Sequence, residues 1–336
     1  MQSSHYLVSS STLNIGRYKL KFFISGGAGF IGSHMSKHLL SLGHEVKVFD
    51  NFTSGTMSHI EDHLKSSHFE LIKGDIKDLN ILKDAMKGAQ VVIHFAANPD
   101  IAKAVKQPDI DFWEGTYLTQ NILEAMRINS VPTILYTSGS GVYGDMPNIE
   151  FSEQYGPCFP ISTYGASKLA CEVLISSYAY MFGIQGRAFR FANVVGAKQT
   201  HGVGYDFMRR LKINPKELQI LGDGTQTKSY IHVSDVISAM MFIFENTTQA
   251  PFDVFNVATE DYITVNQIAE ECCKLYSIKT NDIHFSYTGG DRGWKGDVPK
   301  ILFDTNKIRS LGWKNQYSSL EAIRLSLESL LDENNT

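Results

Sequence analysis

Tyr164 and Lys168 are the residues of this sequence whose types and spacing most directly indicate chemistry. They lie four residues apart in the run YGASK, within a stretch of helical composition. Positions i and i+4 share one face of a helix, so both side chains can point into one site. A neighbouring ammonium favours the phenolate over the phenol, and such a tyrosine can exchange a proton with a sugar hydroxyl. A Tyr/Lys pair on a solvated helix face satisfies the same short pattern.

A second motif, the glycine turn GGAGFIG at residues 26–32, supports the catalytic interpretation. It follows the apolar run 20–25 and precedes a helix-like segment, which is the strand–turn–helix context of a dinucleotide fingerprint. Glycines let the backbone approach a pyrophosphate, and the amides at the helix N-terminus meet its charge. A second strand at 45–49 ends in Asp50, eighteen residues past Gly32, near the usual distance for binding ribose hydroxyls. Because Asp50 would repel a 2′-phosphate, NAD is favoured over NADP.

The elements that must position these residues alternate between strands and helices. Strands are predicted at 69–75, 91–97 and 133–138, and helices at 79–87 and 116–129. Such alternation predicts an α/β fold, a Rossmann-like doubly wound parallel sheet with helices on both faces. Ligands of such sheets bind beyond the carboxyl ends of the strands, where all of these motifs lie.

Composition and charge exclude several classes of partner. Of the 336 residues, 43% are hydrophobic and 20% are charged, and the formal net charge is -4. Without a basic run or a zinc-finger pattern, no nucleic-acid partner is expected. No apolar run approaches the roughly 18 residues of a membrane span, and no signal peptide is recognisable, so no membrane partner is expected.

Cysteine and histidine spacing indicates neither disulfides nor metal. The four cysteines contain no CxxC, and the adjacent pair Cys272 and Cys273 is a poor disulfide candidate. Reduced thiols predict a cytoplasmic protein. Histidine pairs at 34/38 and 59/63 have i, i+4 spacing, but no third ligand accompanies either pair, so no metal site is predicted.

Five motifs together resemble a known family: GGAGFIG at 26–32, HFAA at 94–97, VYG at 142–144, YGASK at 164–168 and RFANVVG at 190–196. They resemble the extended short-chain dehydrogenase/reductases, the NAD-dependent sugar-nucleotide epimerase/dehydratase family. Segments 222–230 and 289–294 look most like the UDP-glucose 4-epimerase group of that family. The resemblance extends from about residue 19 to the end of the chain.

The resemblance implies roles for individual residues. Tyr164 would transfer the proton, Lys168 would tune it and bind the nicotinamide ribose, and Asp75 with Ile76 would meet the adenine. The predicted cofactor-binding set is Gly26, Gly29, Phe30, Ile31, Gly32, Asp50, Asn51, Asp75, Ile76, Phe95, Ala96, Ala97, Tyr164 and Lys168. The predicted substrate-binding set is Asn193, Lys228, Arg292 and Tyr143. For Lys228 and Arg292, phosphate binding and an ordinary surface cation are both open from the residues alone.

The family pattern also predicts an interleaved domain organisation. Residues 1–17 are expected to form a disordered extension, and residues 18–190 with 229–260 the NAD-binding domain. A smaller α+β nucleotide-sugar-binding domain is expected from 191–228 and 261–336, where glycines, Pro215 and polar loops replace the regular alternation. As in the family's dimers, amphipathic residues 117–126 and 168–178 would pair in a homodimer; packing on the sheet is the alternative.

One departure from the family concerns the hydroxyl beside the catalytic phenol. Family members usually carry Ser or Thr four residues before the tyrosine of the VYG loop, where this chain has Gly139. The role is assigned to Ser140, with Ser138 second; a serine that only shapes the turn is the alternative. The family's dehydratases place an Asp-Glu pair in this loop, and its absence here disfavours dehydration.

The sequence therefore predicts an NAD-dependent nucleotide-sugar 4-epimerase that acts by transient oxidation at C4. A C4 dehydrogenase or 4-keto reductase without epimerisation is the nearest alternative, because Gly139 lacks the usual hydroxyl. A catalytically silent NAD-sensing or partner-binding protein is the alternative from another class. The nucleotide and the sugar are not predictable from this sequence.

Overall fold

A seven-stranded sheet forms the centre of the computed structural model, which describes residues 19–146, 148–246, 248–294 and 296–333. The predicted extension at 1–17 lies outside these residues. Numbered along the chain, the strands are β1 (Lys21–Ser25), β2 (Glu45–Asp50), β3 (Phe69–Lys73), β4 (Val91–His94), β5 (Thr133–Gly139), β7 (Gln185–Phe191) and β12 (Phe252–Val257). They are hydrogen bonded in the order β12-β7-β5-β4-β1-β2-β3, and every neighbouring pair is parallel.

The order in which successive strands are added to the sheet changes side between β1 and β4. From β1 the chain proceeds to β2 and β3 on one side, and then crosses to β4 and β5 on the other. At this point Ser25, the last residue of β1, pairs with His94, the last residue of β4. Such a switch point opens a crevice at the carboxyl edge, where doubly wound sheets bind ligands.

Helices cover both faces because side chains of a strand alternate between them. Phe22 and Ile24 pack toward α1 (Phe30–Ser41) and α6 (Val233–Glu245), whereas Phe23 faces the opposite side. There the core contains residues of α2 (Leu79–Met86), α3 (Tyr117–Asn129) and α4 (Thr163–Phe182). The predicted Rossmann-like parallel sheet is confirmed. Within the described ranges, no helix is both long and apolar enough to cross a membrane.

A third hydrophobic cluster belongs to a smaller α+β part of the chain. It gathers α5 (Val203–Ile213), α7 (Val265–Leu275) and α9 (Ser319–Glu333), while α8 (Asn306–Ser310) lies beside β12. Short strand pairs accompany them: β6 (Glu150–Phe151) with β15 (Leu302–Phe303), β8 (Asn193–Val195) with β11 (Tyr230–His232), β9 (Glu217–Ile220) with β14 (His284–Tyr287), and β10 (Thr227–Lys228) with β13 (Ile263–Thr264). The domain boundaries drawn from the sequence stay a prediction.

Candidate active site

Tyr164 and Lys168 lie on the first two turns of α4. The helix begins after Ser162, whose hydroxyl accepts a hydrogen bond from the Gly165 amide at 3.1 Å and so caps the N-terminus. The Lys168 ammonium lies 5.6 Å from the centre of the Tyr164 ring and donates to the Thr137 carbonyl at 2.7 Å. Lys168 is buried and Tyr164 half-buried, so the cation is held in place while the phenol keeps access to the cleft.

The glycine turn between β1 and α1 has no room for larger residues. Gly26 has a φ of +73°, and a Cβ there would lie 2.7 Å from the Ala96 amide nitrogen. A Cβ on Gly32 would collide with the Gly26 carbonyl and lie 2.7 Å from the Gly27 Cα. The first turn of α1 carries no acidic residue, so its amides and dipole are available to an anion. These residues fit the pyrophosphate of a dinucleotide.

Asp50 lies beside this turn, at the carboxyl end of β2. Its Oδ2 accepts from the Ala28 amide at 2.9 Å and its Oδ1 from the Phe52 amide at 2.8 Å. A carboxylate has about four acceptor sites, so ribose hydroxyls can still donate to it. The next position, Asn51, donates to Asp75 at 3.3 Å across the ends of β2 and β3.

The remaining cofactor candidates line the same edge. Ile76 is buried, and its carbonyl accepts from Asn121 on α3 at 3.0 Å. Residues 95–97 follow β4 and are half-buried, and Phe30 and Ile31 open α1. The structure thus gathers the predicted cofactor set around the β1/β4 switch point.

Ser138 does not face the cleft. Only 4% of it is exposed, and its hydroxyl donates to Glu172 of α4 at 2.5 Å. Strand alternation places Ser138 on the same face as Ile134 and Tyr136, which pack toward α3 and α4. The same alternation can be followed in the sequence, where it indicates that Ser138 faces the core and not the cleft. The second choice for the hydroxyl is therefore corrected.

Ser140, the first choice, keeps its hydroxyl available. It is half-buried and has no hydrogen-bond partner for its side chain among the described residues. The neighbouring Gly141 packs on the start of α4, where a Cβ would lie 3.5 Å from the Gly165 Cα and 4.0 Å from Tyr164 Cδ1. The loop that carries Ser140 thus contacts the catalytic candidate directly.

Tyr143 was predicted to bind substrate, but its side chain lies in the core. It is 1% exposed, stacks on Phe151 with ring centres 4.6 Å apart, and donates to Asn256 Oδ1 at 2.6 Å. Burial raises the pKa of its phenol to about 12, so it stays protonated. This packing disagrees with substrate binding, because neither the ring nor the hydroxyl reaches the cleft.

The two cations predicted to bind substrate, Lys228 and Arg292, are already paired with carboxylates. Lys228 donates to Asp297 at 2.6 Å and lies 5.2 Å from the centre of the Trp294 ring. Arg292 contacts Asp145 at 2.6 Å and also donates to the Asp297 carbonyl at 2.9 Å. Asp145 directly follows the VYG loop, so Arg292 connects the second part of the chain to that loop.

Asn193 is the remaining substrate candidate and is exposed at the start of β8. Its amide nitrogen is 3.4 Å from the Ser229 carbonyl, a weak contact that leaves the side chain free to bind a ligand. Ser229 adjoins Lys228, so Asn193 and the paired cation lie at the same end of β8 and β11.

Several residues that support the site were not predictable from their local sequence, with one exception. His94 is fully buried between Ser25 at 2.6 Å and Thr119 at 3.0 Å, and burial lowers its pKa to about 3, so it is neutral. Asp145 and Asp297 carry no local signal that would mark them as partners of distant cations. Glu172 does, because it lies one helical turn beyond Lys168.

The chain is similar along nearly its whole length to known proteins. Residues 22–258 match the model of the NAD dependent epimerase/dehydratase family. A putative UDP-glucose 4-epimerase of Methanocaldococcus jannaschii is 31% identical over 320 residues, covering 93% of this chain and 99% of the relative. A crystal structure of a UDP-galactose 4-epimerase has a TM-score of 0.83 at 36% identity, covering 94% of this chain and 99% of that one. The Thermotoga maritima UDP-glucose 4-epimerase, solved with UDP-glucose, has a TM-score of 0.84 at 27% identity, covering 94% and 100%.

Proposed function

Because the chain belongs to the NAD dependent epimerase/dehydratase family, we propose that it is a nucleotide-sugar 4-epimerase that interconverts UDP-glucose and UDP-galactose. The choice of sugar nucleotide follows the relatives, several of which are named UDP-glucose 4-epimerases. The choice of reaction follows the loop at 139–141, which has no carboxylate for dehydration.

One observation carries this proposal: a continuous series of contacts from the glycine turn to the phenol. Gly26 lies against Ala96 at the end of β4. Thr137 on β5 donates through its hydroxyl to the last carbonyl of β4 at 3.2 Å, and its own carbonyl accepts from Lys168. Lys168 in turn lies beside Tyr164. A dinucleotide on the turn and a sugar at the phenol would therefore share one sheet edge.

In the proposed mechanism, Tyr164 takes the proton of the C4 hydroxyl and later returns it. The Lys168 ammonium stabilises the phenolate form of Tyr164, which accepts this proton and forms again when the proton is returned. NAD, when bound, supplies the acceptor and donor of the C4 hydride. Ser140 would donate a hydrogen bond to the oxygen at C4 while the sugar turns over.

Binding of the diphosphate falls to the second part of the chain. We assign it to Asn193, Lys228 and Arg292. The planar guanidinium of Arg292 can donate hydrogen bonds to two phosphate oxygens at once. Asp145 and Asp297 each occupy part of the donors of these cations at 2.6 Å, so the anion competes with both carboxylates.

The test is product analysis combined with one substitution. Purified protein should convert UDP-glucose to UDP-galactose, and the reverse, without accumulating NADH. Tyr164→Phe should lower kcat by about 10²- to 10⁴-fold, since a proton donor is lost, while bound NAD is retained. Tyr178→Phe is the matched control, which removes another tyrosine hydroxyl from α4, and should keep kcat within about twofold. If Tyr164→Phe turned over as fast as wild type, the enzyme hypothesis would be wrong and a silent NAD-binding protein would remain.

A one-way C4 oxidoreductase is the second candidate. It is favoured by the missing hydroxyl at Gly139 and by the engagement of Ser138 with Glu172. Stoichiometric NADH and a 4-keto product would identify it, whereas epimerisation leaves the NADH level unchanged.

We also propose a homodimer formed through α3 and α4. Val173 and Tyr180 of α4 are 58% and 71% exposed, and Ile128 of α3 is 48% exposed. Exposed apolar side chains on neighbouring helices mark an interaction surface. Val173→Glu should therefore convert a dimeric mass in sedimentation to that of a monomer, and a monomeric wild type would contradict the proposal.

A further inference from the structure

Glu172 and Arg190 form a buried ion pair beneath the loop that carries Ser140. Glu172 lies on α4 one turn beyond Lys168, Arg190 lies on β7, and their side chains are 4% and 6% exposed. Arg190 Nε donates to Glu172 Oε1 at 3.0 Å, and Nη2 donates to Oε2 at 2.7 Å. The proposed mechanism makes no use of this pair, although Glu172 shares a helix face with Tyr164 and Lys168.

The ion pair contacts the residues on either side of the loop, Ser138 before it and Tyr143 after it. At the first end, the Ser138 hydroxyl donates to Glu172 Oε1 at 2.5 Å. At the other end, the Arg190 guanidinium lies 4.7 Å from the centre of the Tyr143 ring, whose hydroxyl is bonded to Asn256. Between these two contacts, Gly139 ends β5 opposite Phe191 of β7, and Ser140 begins a short 3-10 helix that extends to Tyr143.

We propose that the Glu172–Arg190 pair, acting through Ser138 and Tyr143, positions the 139–141 loop against Tyr164. The pair is a positioning element and does not touch the substrate. Because Gly141 packs directly on the start of α4, any drift of the loop changes the distance between the Ser140 hydroxyl and the phenol. The inference rests on the proposed function and adds to it the residues that set the geometry of the hydroxyl.

The experiment leaves the ion pair intact, since a buried Arg190 without its carboxylate would destabilise the whole fold. Ser138→Ala removes only the hydrogen bond between Ser138, at the start of the loop, and Glu172. We expect kcat to fall about tenfold, because the lost bond goes to a buried carboxylate. KM for UDP-glucose and bound NAD should stay unchanged. Ser326→Ala is the matched control: it removes an equally buried serine hydroxyl, one that donates to Gln199 in the second part of the chain.

A rescue variant separates positioning from a catalytic role of Ser138. Gly139 has an extended backbone, with φ -160° and ψ 169°, and a Cβ there would meet no heavy atom within 4 Å. Gly139→Ala is measured by itself as the reference for the double variant, because the position ends β5 within the loop that faces Tyr164, and the added methyl restricts the backbone there. In the Ser138→Ala background it should restore kcat by about threefold. A lost catalytic hydroxyl would not be rescued in this way.

Two outcomes would overturn the inference: an unchanged kcat in Ser138→Ala, or a double variant no faster than Ser138→Ala alone. If Ser138→Ala did not fold, Ser138→Cys would test the same contact, because a thiol of similar shape is a weaker donor to Glu172. In that variant kcat should fall about threefold at constant KM, and an unchanged kcat would refute the positioning role. An inactive wild type would instead refute the proposed function, so the two failures are distinguishable.

Discussion

The glycine turn after β1 and the cations near the 289–294 segment differ in how much of each site exists before a ligand binds. Around the turn, Asp50 is held by two backbone amides, and a Cβ on Gly32 would collide with the Gly26 carbonyl. In the second region, Lys228 and Arg292 are each neutralised by a carboxylate. The first region is therefore formed before a ligand binds, whereas in the second region an anion competes with carboxylates that are already bound.

The difference follows from the ligand groups each region would bind. A pyrophosphate on backbone amides and a helix dipole needs no counter-charge to be removed. A diphosphate on two side-chain cations competes with carboxylates already in place. The Arg292–Asp145 pair, whose side chains are 36% and 20% exposed, contributes at most about 1 kcal/mol, whereas Asp297, the partner of Lys228, is only 4% exposed. Substitutions in the glycine turn should therefore act on cofactor binding and stability, and substitutions in the cation region on KM.

The largest effect is expected for Gly32→Ala. The added methyl has no space beside the Gly26 carbonyl, so the turn must distort, and NAD affinity should fall about a hundredfold, equivalent to about 3 kcal/mol of overpacking. Titration of apo-protein with NAD measures this change. Gly139→Ala, at a position with open space, is the control and should bind NAD as wild type does. Equal NAD affinities for both variants would contradict the comparison, because the geometry of the glycine turn would then not be fixed before NAD binds.

Arg292→Met should raise KM for UDP-glucose about 30-fold, equivalent to about 2 kcal/mol, with little change in kcat or bound NAD. The reason is the loss of charge-assisted bonds to the diphosphate. Arg292→Lys should fall in between, because it keeps the charge and loses the fork. An unchanged KM for Arg292→Met would identify Arg292 as an ordinary surface cation.

Asp145→Asn tests the comparison through the direction in which KM changes. If Asp145 competes with the diphosphate for Arg292, removing its charge should lower KM about threefold, in keeping with a partly exposed ion pair. Asp291→Asn is the matched control, because its carboxylate is 3.5 Å from Arg292 and 72% exposed, and should leave KM unchanged. A higher KM for Asp145→Asn would mean that Asp145 orients Arg292 for binding.

The smallest effect concerns acid stability at the junction of the two regions. His34 on α1 donates to the Ala197 carbonyl at 2.9 Å, and burial is the main cause that lowers the pKa of both His34 and His63 to about 4. The unfolded chain takes up these protons below about pH 6.5 and the folded chain only near pH 4. The stability contributed by the neutral forms of His34 and His63 is therefore fully present above about pH 6.5 and is lost as the pH falls toward 4.

Thermal unfolding between pH 7.5 and 4.5 measures this loss. His34→Gln retains an amide donor for Ala197 and removes one titrating group, so its Tm should fall less over that range than the Tm of wild type. Parallel curves for the two proteins would exclude His34 as a source of the acid sensitivity.

Local rules were sufficient to predict the glycine turn with Asp50 and the shared helix face of Tyr164 and Lys168. The strand–turn–helix order predicted the glycine turn, the end of the following strand predicted Asp50, and one helical turn joins Tyr164 to Lys168. Parallel topology then requires these strand ends to share one edge of the sheet. The confirmed fold class depends on the same short-range periodicities.

Pairings between distant segments were not predictable in this way. Arg292 and Asp145 are 147 residues apart and Lys228 and Asp297 are 69 apart, so no local pattern marks either pair. Ser138 and Tyr143 were wrongly expected near the ligand, because the loop motif alone does not tell which of its side chains enter the core.

The alternation of strands and helices along the chain, the glycine turn and the one-turn spacing of a phenol and an ammonium were determined by the sequence by itself, since each depends on backbone conformation over a few residues. Tertiary structure alone decided which serine is buried, which carboxylates neutralise the cations, and how an ion pair holds the loop. These depend on side chains brought together from distant segments, and their contacts form only when the whole core packs.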